Sequence, residues 1–136
     1  MRGAPVEALQ RVPLFADLTK REVQQIARLF KKRRFSAGET VVKEGSGGAA
    51  FFVIESGEAK VFVRGKQHTI LKPGDYFGEI ALIDEGTRMA TITATIELVC
   101  YGLTYWDFRP LVEKTGVIGW KLLQRMAKML RATRED

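Results

Sequence analysis

Tyr76-Phe77-Gly78-Glu79-Ile80-Ala81-Leu82, followed after a short gap by Arg88-Met89-Ala90-Thr91, is the stretch on which the reading of this chain turns. Glycine, an acid, an aliphatic residue, alanine and leucine in that order predict the first turn of a short helix. Such a turn leaves backbone N–H groups unpaired and carries the positive end of the helix dipole, so it attracts an anion. Arg88 adds a planar, permanently charged fork whose donors match phosphate oxygens. Glu79, on the same turn, is an acceptor suited to a neutral hydroxyl beside that anion. An anion, its counter-ion and a hydroxyl acceptor together describe a sugar phosphate.

Working outward, the flanks are rich in β signals. Ala90, Ile92, Ala94 and Ile96 alternate with Thr91, Thr93 and Thr95, the strict period of two that a half-buried strand requires. Upstream, Phe51 to Ile54, Ala59 to Arg64 and Thr69 to Lys72 read as strands. Hairpin-type turns at Ser56-Gly57 and Arg64-Gly65-Lys66 and a turn at Pro73-Gly74-Asp75 punctuate them. Many short strands at even spacing predict a barrel or jelly-roll sheet.

Helices are expected on both sides of this region. Thr19-Lys20-Arg21-Glu22 is a capping box, and Val23, Ile26, Ala27 and Phe30 follow at helical spacing, which predicts a helix from about Lys20 to Lys31. The cluster Lys31-Lys32-Arg33-Arg34 would then close that helix and offset its dipole. Thr104 can cap a second helix with Phe108, Leu111 and Val112 facing inward; Pro110 inside it predicts a short or 3₁₀-like element. Thr115-Gly116 marks a break, and a last helix is expected from about Val117 to Arg131. Gly119, Leu122, Leu123, Met126, Ala127 and Leu130 line its stripe. The chain of 136 residues is read as one domain. Its parts are an N-terminal helical part (1–34), a β region (35–103) containing the cassette 76–91, and C-terminal helices (104–136).

Composition excludes several classes. Apolar residues make up 46% of the chain, which argues against disorder, and the longest wholly apolar run, Ala49 to Ile54, is far too short to span a bilayer. The first residues hold charges, Pro5 and Pro13 but no apolar core of a signal peptide. The single cysteine, Cys100, excludes an internal disulfide and fits a reducing cytoplasm. The net charge is +6, but four clustered cations without a reading element supply only non-specific attraction to nucleic acid. His68, the one histidine, has no acid or nucleophile at a telling spacing, so no catalytic residue is assigned. One cysteine and one histidine make no zinc pattern. Asp84-Glu85 reads as a solvated loop tip, and Glu79 with Arg88 could, in the plainest reading, be no more than an exposed ion pair.

The segment from Tyr76 to Leu82 with Arg88 to Thr91 resembles the phosphate-binding cassette of the cyclic nucleotide-binding domain family, whose glutamate and arginine stand nine apart as Glu79 and Arg88 do. The resemblance runs from about Leu14 to about Arg134. It implies a mainly β fold: an antiparallel β-roll of jelly-roll type with an N-terminal helix, an internal cassette helix and C-terminal helices. It implies that the ligand lies along Phe77, Gly78, Glu79, Ile80, Ala81, Leu82, Arg88, Met89, Ala90 and Thr91. Glu79 would accept from the ribose 2′-hydroxyl and Arg88 would pair with the cyclic phosphate. The N–H groups of Ala81 and Met89 would close around that phosphate, and Gly78 would let the backbone approach the ribose. Thr87 departs from the proline common before the arginine. Met89 stands where members that prefer cyclic GMP commonly place threonine, so cyclic AMP is the expected ligand and cyclic GMP the second choice.

The base must be covered from outside the roll. Beside catabolite-activator-type regulators, the stretch from Arg88 to Thr133 aligns without gaps. Thr133 then stands where those proteins reach the adenine amino group, with Arg134 in place of serine. Met129, Trp120, Leu123 or Met126 could equally form an apolar lid. No metal or other cofactor is expected. Beyond the cyclic nucleotide, an unidentified effector is the expected partner; the stripe of the last helix could pack on its own roll or on a partner helix, so a homodimer stays open. No recognition helix for DNA and no membrane segment are read. Three readings stay open: a stand-alone receptor, a regulatory fragment of a transcription regulator or channel, and a nucleotide-free β-roll that serves as an interaction module.

Overall fold

The computed structural model describes residues 3–47, 50–84, 86 and 88–134. Helix α1 (Val6–Gln10) and a 3₁₀ turn (Pro13–Phe15) lead to α2 (Lys20–Ala27). The capping box forms as read: the Glu22 N–H donates to Thr19 Oγ1 at 3.2 Å and the Thr19 N–H to Glu22 Oε1 at 2.8 Å. Eight strands follow: β1 (Lys31–Phe35), β2 (Thr40–Val42), β3 (Ala50–Ser56), β4 (Ala59–Val63), β5 (Lys66–Leu71), β6 (Tyr76–Phe77), β7 (Thr91–Ala94) and β8 (Leu98–Thr104). They form two antiparallel four-stranded sheets, ordered β1-β8-β3-β6 and β2-β7-β4-β5. Between β6 and β7 lies the cassette, with a single 3₁₀ turn over Glu79–Leu82. Helices α3 (Tyr105–Lys114) and α4 (Gly116–Arg134) end the described chain.

This is the expected antiparallel β-roll with flanking helices, with corrections at three elements. The first helix stops at Ala27, and the basic cluster is not its C-terminus. Lys31–Phe35 is instead an edge strand, paired with β8 from Lys31↔Gly102 to Phe35↔Leu98, so the roll begins at Lys31 rather than Phe35. Phe30 and Phe35 are buried on either side of the four exposed cations and pin the strand in place. Charge along an edge strand opposes pairing with another chain.

The second correction is Pro110. It does not reduce its segment to a 3₁₀ element: α3 is an α-helix of 10 residues. The Asp107 N–H donates to Thr104 Oγ1 at 3.1 Å, Phe108 is buried, and Pro110 lies exposed where water can take the carbonyl its ring leaves unbonded. Third, α4 begins at Gly116 and reaches Arg134, and only part of its expected stripe is covered. Ile118 and Leu122 are buried, while Trp120, Leu123 and Leu130 are about 60% exposed.

Two interiors result. Phe51 and Val53 of β3 join Phe15, Phe30, Phe108, Ile118 and Leu122 beneath the helices. Phe52 and Ile54, on the other face of the same strand, join Phe35, Ala59, Ile92, Ala94, Leu98 and Cys100 inside the roll. A strand buried on both faces reads as a continuous apolar run, as Phe51 to Ile54 does. Helix α4 is tied to the N-terminal helices by ion pairs. Lys121 Nζ lies 2.9 Å from Glu22 Oε1, and Arg125 and Lys128 reach Asp17 at 2.6 and 3.2 Å. Hydrogen bonds from these cations hold both carboxyls below their ordinary pKa range.

Candidate functional site

The site is built around Gly78. Its φ of +86° turns the chain out of β6 and into the 3₁₀ turn, a conformation that costs a residue with a Cβ. Space imposes the same choice: a Cβ there would lie 2.7 Å from the Ala50 carbonyl oxygen and 2.7 Å from Arg88 Nη1. The missing side chain therefore makes room for the Arg88 guanidinium. Arg88 Nη2 donates to the Ala50 carbonyl at 2.6 Å, while Nε is buried with no acceptor among the described residues. Burial lowers the arginine pKa from its usual value, as expected of a partly desolvated charge, and no ion pair joins it among the described residues. Two backbone bonds fix it further: the Arg88 N–H donates to the Ser46 carbonyl at 2.8 Å, and the Gly45 N–H to the Arg88 carbonyl at 2.9 Å.

Arg88 opens into a cavity of about 480 Å³. Phe77, Gly78, Glu79, Ile80, Ala81, Arg88, Met89 and Ala90, eight of the ten expected ligand residues, line it. The volume lies within the range of small-molecule sites. Glu79 and Arg88 share this cavity, yet no ion pair joins them among the described residues. The plain salt-bridge reading is thereby excluded. The Glu79 carboxylate is close enough to Tyr76 to help burial push the phenol pKa up.

Two cassette residues stand elsewhere. Leu82 is buried in the helical core, and Thr91 Oγ1 accepts from the Glu44 N–H at 2.9 Å as a strand clamp. Neither lines the cavity. The anion-site argument also changes in form. One 3₁₀ turn of four residues carries little dipole, and the Ala81 N–H is already taken by the Gly78 carbonyl at 2.9 Å. Arg88 is the one cation among the described residues that line the cavity. The expected departure at Thr87, and Glu85, lie outside the described residues.

The base-cap candidates do not reach the cavity. Met129, Thr133 and Arg134 sit toward the end of α4, where Thr133 Oγ1 donates to the Met129 carbonyl at 3.1 Å. Trp120, Leu123 and Met126 instead line a separate apolar groove against Phe108 and Leu82. The cavity wall missed by motif reading is Val42, Val61, Leu71 and Ile92. Ile92 carried a signal in the alternation of β7, and Val61 and Leu71 fell within or beside expected strands. Val42 carried none, because β2 has only three residues. Asp84, read as a loop tip, is exposed but also lines the cavity.

The remaining chemistry is sparse. Cys100 is fully buried and its thiol is pushed up to about 11, so it is protonated and inert at neutral pH. His68 lies exposed on β5, and no group of three or more His, Cys, Asp or Glu among the described residues could hold a metal. No described helix is long and apolar enough to cross a membrane.

A β-roll whose cassette brings Arg88, with no ion pair among the described residues, and a carboxylate to one cavity has the outline of a small-ligand-binding domain. The model of the family described as "Cyclic nucleotide-binding domain" matches residues 32–115, and the chain belongs to that family. It is 42% identical over 92 residues to a cAMP-dependent protein kinase regulatory subunit of Emericella nidulans, covering 66% of this chain and 22% of that protein. Identity to a cGMP-dependent protein kinase of Toxoplasma gondii is 38% over 95 residues, or 70% of this chain and 10% of the kinase. The chain thus spans about a quarter or less of the curated relatives it matches. Among solved structures, the N-terminal domain of a transcriptional regulator from Streptomyces coelicolor A3(2) superposes with a TM-score of 0.85. It is 28% identical, and the match covers 94% of this chain and 95% of that one.

Proposed function

We propose that this domain is a cyclic AMP receptor that signals by conformational change and catalyses no reaction. The observation that carries the reading is the pairing of Arg88 and Glu79 in one cavity without an ion pair between them. The cyclic phosphate takes the free edge of the Arg88 guanidinium and supplies its missing counter-ion. The ribose 2′-hydroxyl donates to Glu79. The walls Val61, Leu71 and Ile92 take apolar faces of the ligand, and the Met89 N–H completes the phosphate contacts. No metal or other cofactor is required.

Since α4 does not line the cavity, covering the base requires it to move. The ligand can drive that movement only to the extent that it binds the covered state more tightly. Met129, Thr133 and Arg134 would then be the candidates for contact with the base. The exposed Trp120, Leu123 and Leu130 offer α4 a surface for an effector or a second copy. Cyclic AMP is favoured over cyclic GMP because Met89, 81% exposed, has no hydroxyl for the guanine edge. Likeness to the Toxoplasma kinase keeps cyclic GMP as the second ligand, and likeness to the Streptomyces domain supports a transcription regulator as the parent protein. A cytoplasmic location fits the single free thiol.

Calorimetric titration of the nucleotide-stripped chain with each nucleotide tests this. Cyclic AMP is expected to bind more tightly than cyclic GMP, and Arg88→Ala to weaken it by about 100-fold, the loss of a charge-assisted phosphate contact. A folded protein that binds neither nucleotide would overturn the reading in favour of an interaction module.

A further inference from the structure

Arg88 also borders a second cavity. This one has a volume of about 390 Å³, and its wall includes Arg33, Thr40, Lys43, Ser46, Phe52 and Arg88. Its charge is opposite in character to that of the first. The cassette cavity mixes Arg88 with Glu79 and Asp84, whereas this one is lined by three cations and, among the described residues, no acid. Four acids flanking these strands are engaged elsewhere. Glu39 accepts from the Ser36 N–H at 2.9 Å and Glu44 from the Arg64 N–H at 2.9 Å. Glu55 and Glu97 pair with Lys32 and Arg34, the residues on the opposite face of β1 from Arg33.

Arg33 therefore has no carboxylate partner among the described residues. It is held in place all the same. Its guanidinium lies 5.3 Å from the centre of the Phe35 ring, and its stem crosses Gly102 of β8, where an added Cβ would already meet the Phe52 ring at 3.0 Å. A preformed cavity with cations on three separate segments and hydroxyls at Thr40 and Ser46 has the donors a tetrahedral dianion needs. Like charges facing one cavity repel, and an anion between them removes that cost.

We propose that this second cavity binds phosphate, either as the inorganic dianion or as the terminal group of a small phosphate monoester. Arg33 and Lys43 are the primary ligands and Arg88 the shared one. Because Arg88 borders both cavities, phosphate here is expected to weaken anion binding at the cassette. That consequence rests on the cyclic nucleotide reading, and the two effects are reciprocal.

The test omits cyclic nucleotide, so the site stands or falls independently of the cassette. Amide spectra of the full chain are recorded during titration with inorganic phosphate, then glycerol phosphate, against chloride at equal ionic strength. Saturable shifts at Arg33, Lys43, Ser46 and the Arg88 amide are expected, lost in Arg33→Gln/Lys43→Gln and reduced in Lys43→Gln alone, which alters only an exposed loop residue. Tighter binding of one phosphate source identifies the form preferred. Shifts centred on Gly78 to Leu82 and Met89, equal shifts with chloride, or no saturation would each overturn the proposal.

Discussion

Strand β3 separates two interiors of opposite character. On its helical face, the Phe51 ring meets those of Phe15, Phe30 and Tyr76 edge-on, with centroids 5.7 to 6.1 Å apart, in a core closed by Leu9, Phe108 and Ile118. On its other face, Phe52 stacks on Phe77 at 5.1 Å, but its neighbours include the small Ala59, Ala94 and Cys100. Beyond them the roll opens into the cassette cavity. The first interior is filled by large rings and holds the fold together. The second keeps space for a ligand and leaves part of its apolar wall uncovered.

That contrast sets an order of expected effects. Phe51→Ala, at a fully buried position, should cost about 3–5 kcal/mol, because it removes a ring and leaves a cavity that three neighbouring rings cannot close. A urea midpoint that scarcely moves would show that this ring cluster does not hold the fold together. Gly78→Ala comes next. Its Cβ must displace Arg88 or the Ala50 carbonyl in a left-handed backbone, so stability should fall by about 1–2 kcal/mol. Nucleotide affinity should fall as well, by about tenfold or more; a lower melting temperature with unchanged affinity would mean the glycine serves the backbone alone.

Ile92→Val sharpens the contrast from the roll side. The residue is buried but borders the cavity, so the expected cost is about 0.5–1.5 kcal/mol, small beside Phe51→Ala. The smallest effect lies at the surface, where Asp17 holds α4. Its pKa is lowered in the folded state, so its contribution is present at neutral pH and is lost as acid takes the pH below the ordinary 3.8 and through the lowered value. Melting temperatures of the native chain and Asp17→Asn, followed from neutral pH to about pH 3, should converge only at the acid end. A constant gap would show that the Arg125 and Lys128 contacts do not depend on the carboxylate charge.

Much of the roll was legible because its strands obey simple periodicities. Thr91 to Ala94 alternate inward and outward as read, and the Thr19 box forms atom for atom. The cassette was legible because glycine, acid and arginine at fixed spacing leave few other uses. What local pattern could not reveal was pairing. Lys31 to Arg34 look like the basic end of a helix until β8 is seen to hold them as an edge strand. Val42, Val61 and Leu71 reach the cavity from strands 10 or more positions apart, with no shared motif.

The class of fold, and Glu79 and Arg88 as the pair to look for at one cavity, were already written in the amino-acid order, because periodicity and functional-group chemistry are local properties of the chain. Tertiary structure alone decided that Glu79 and Arg88 stay apart across a cavity. It alone decided that Arg88 borders two cavities, and that α4 rests on Asp17 and Glu22 rather than over the ligand space. Those outcomes depend on which distant segments share a neighbourhood, and that is fixed by strand pairing and core packing across the whole molecule.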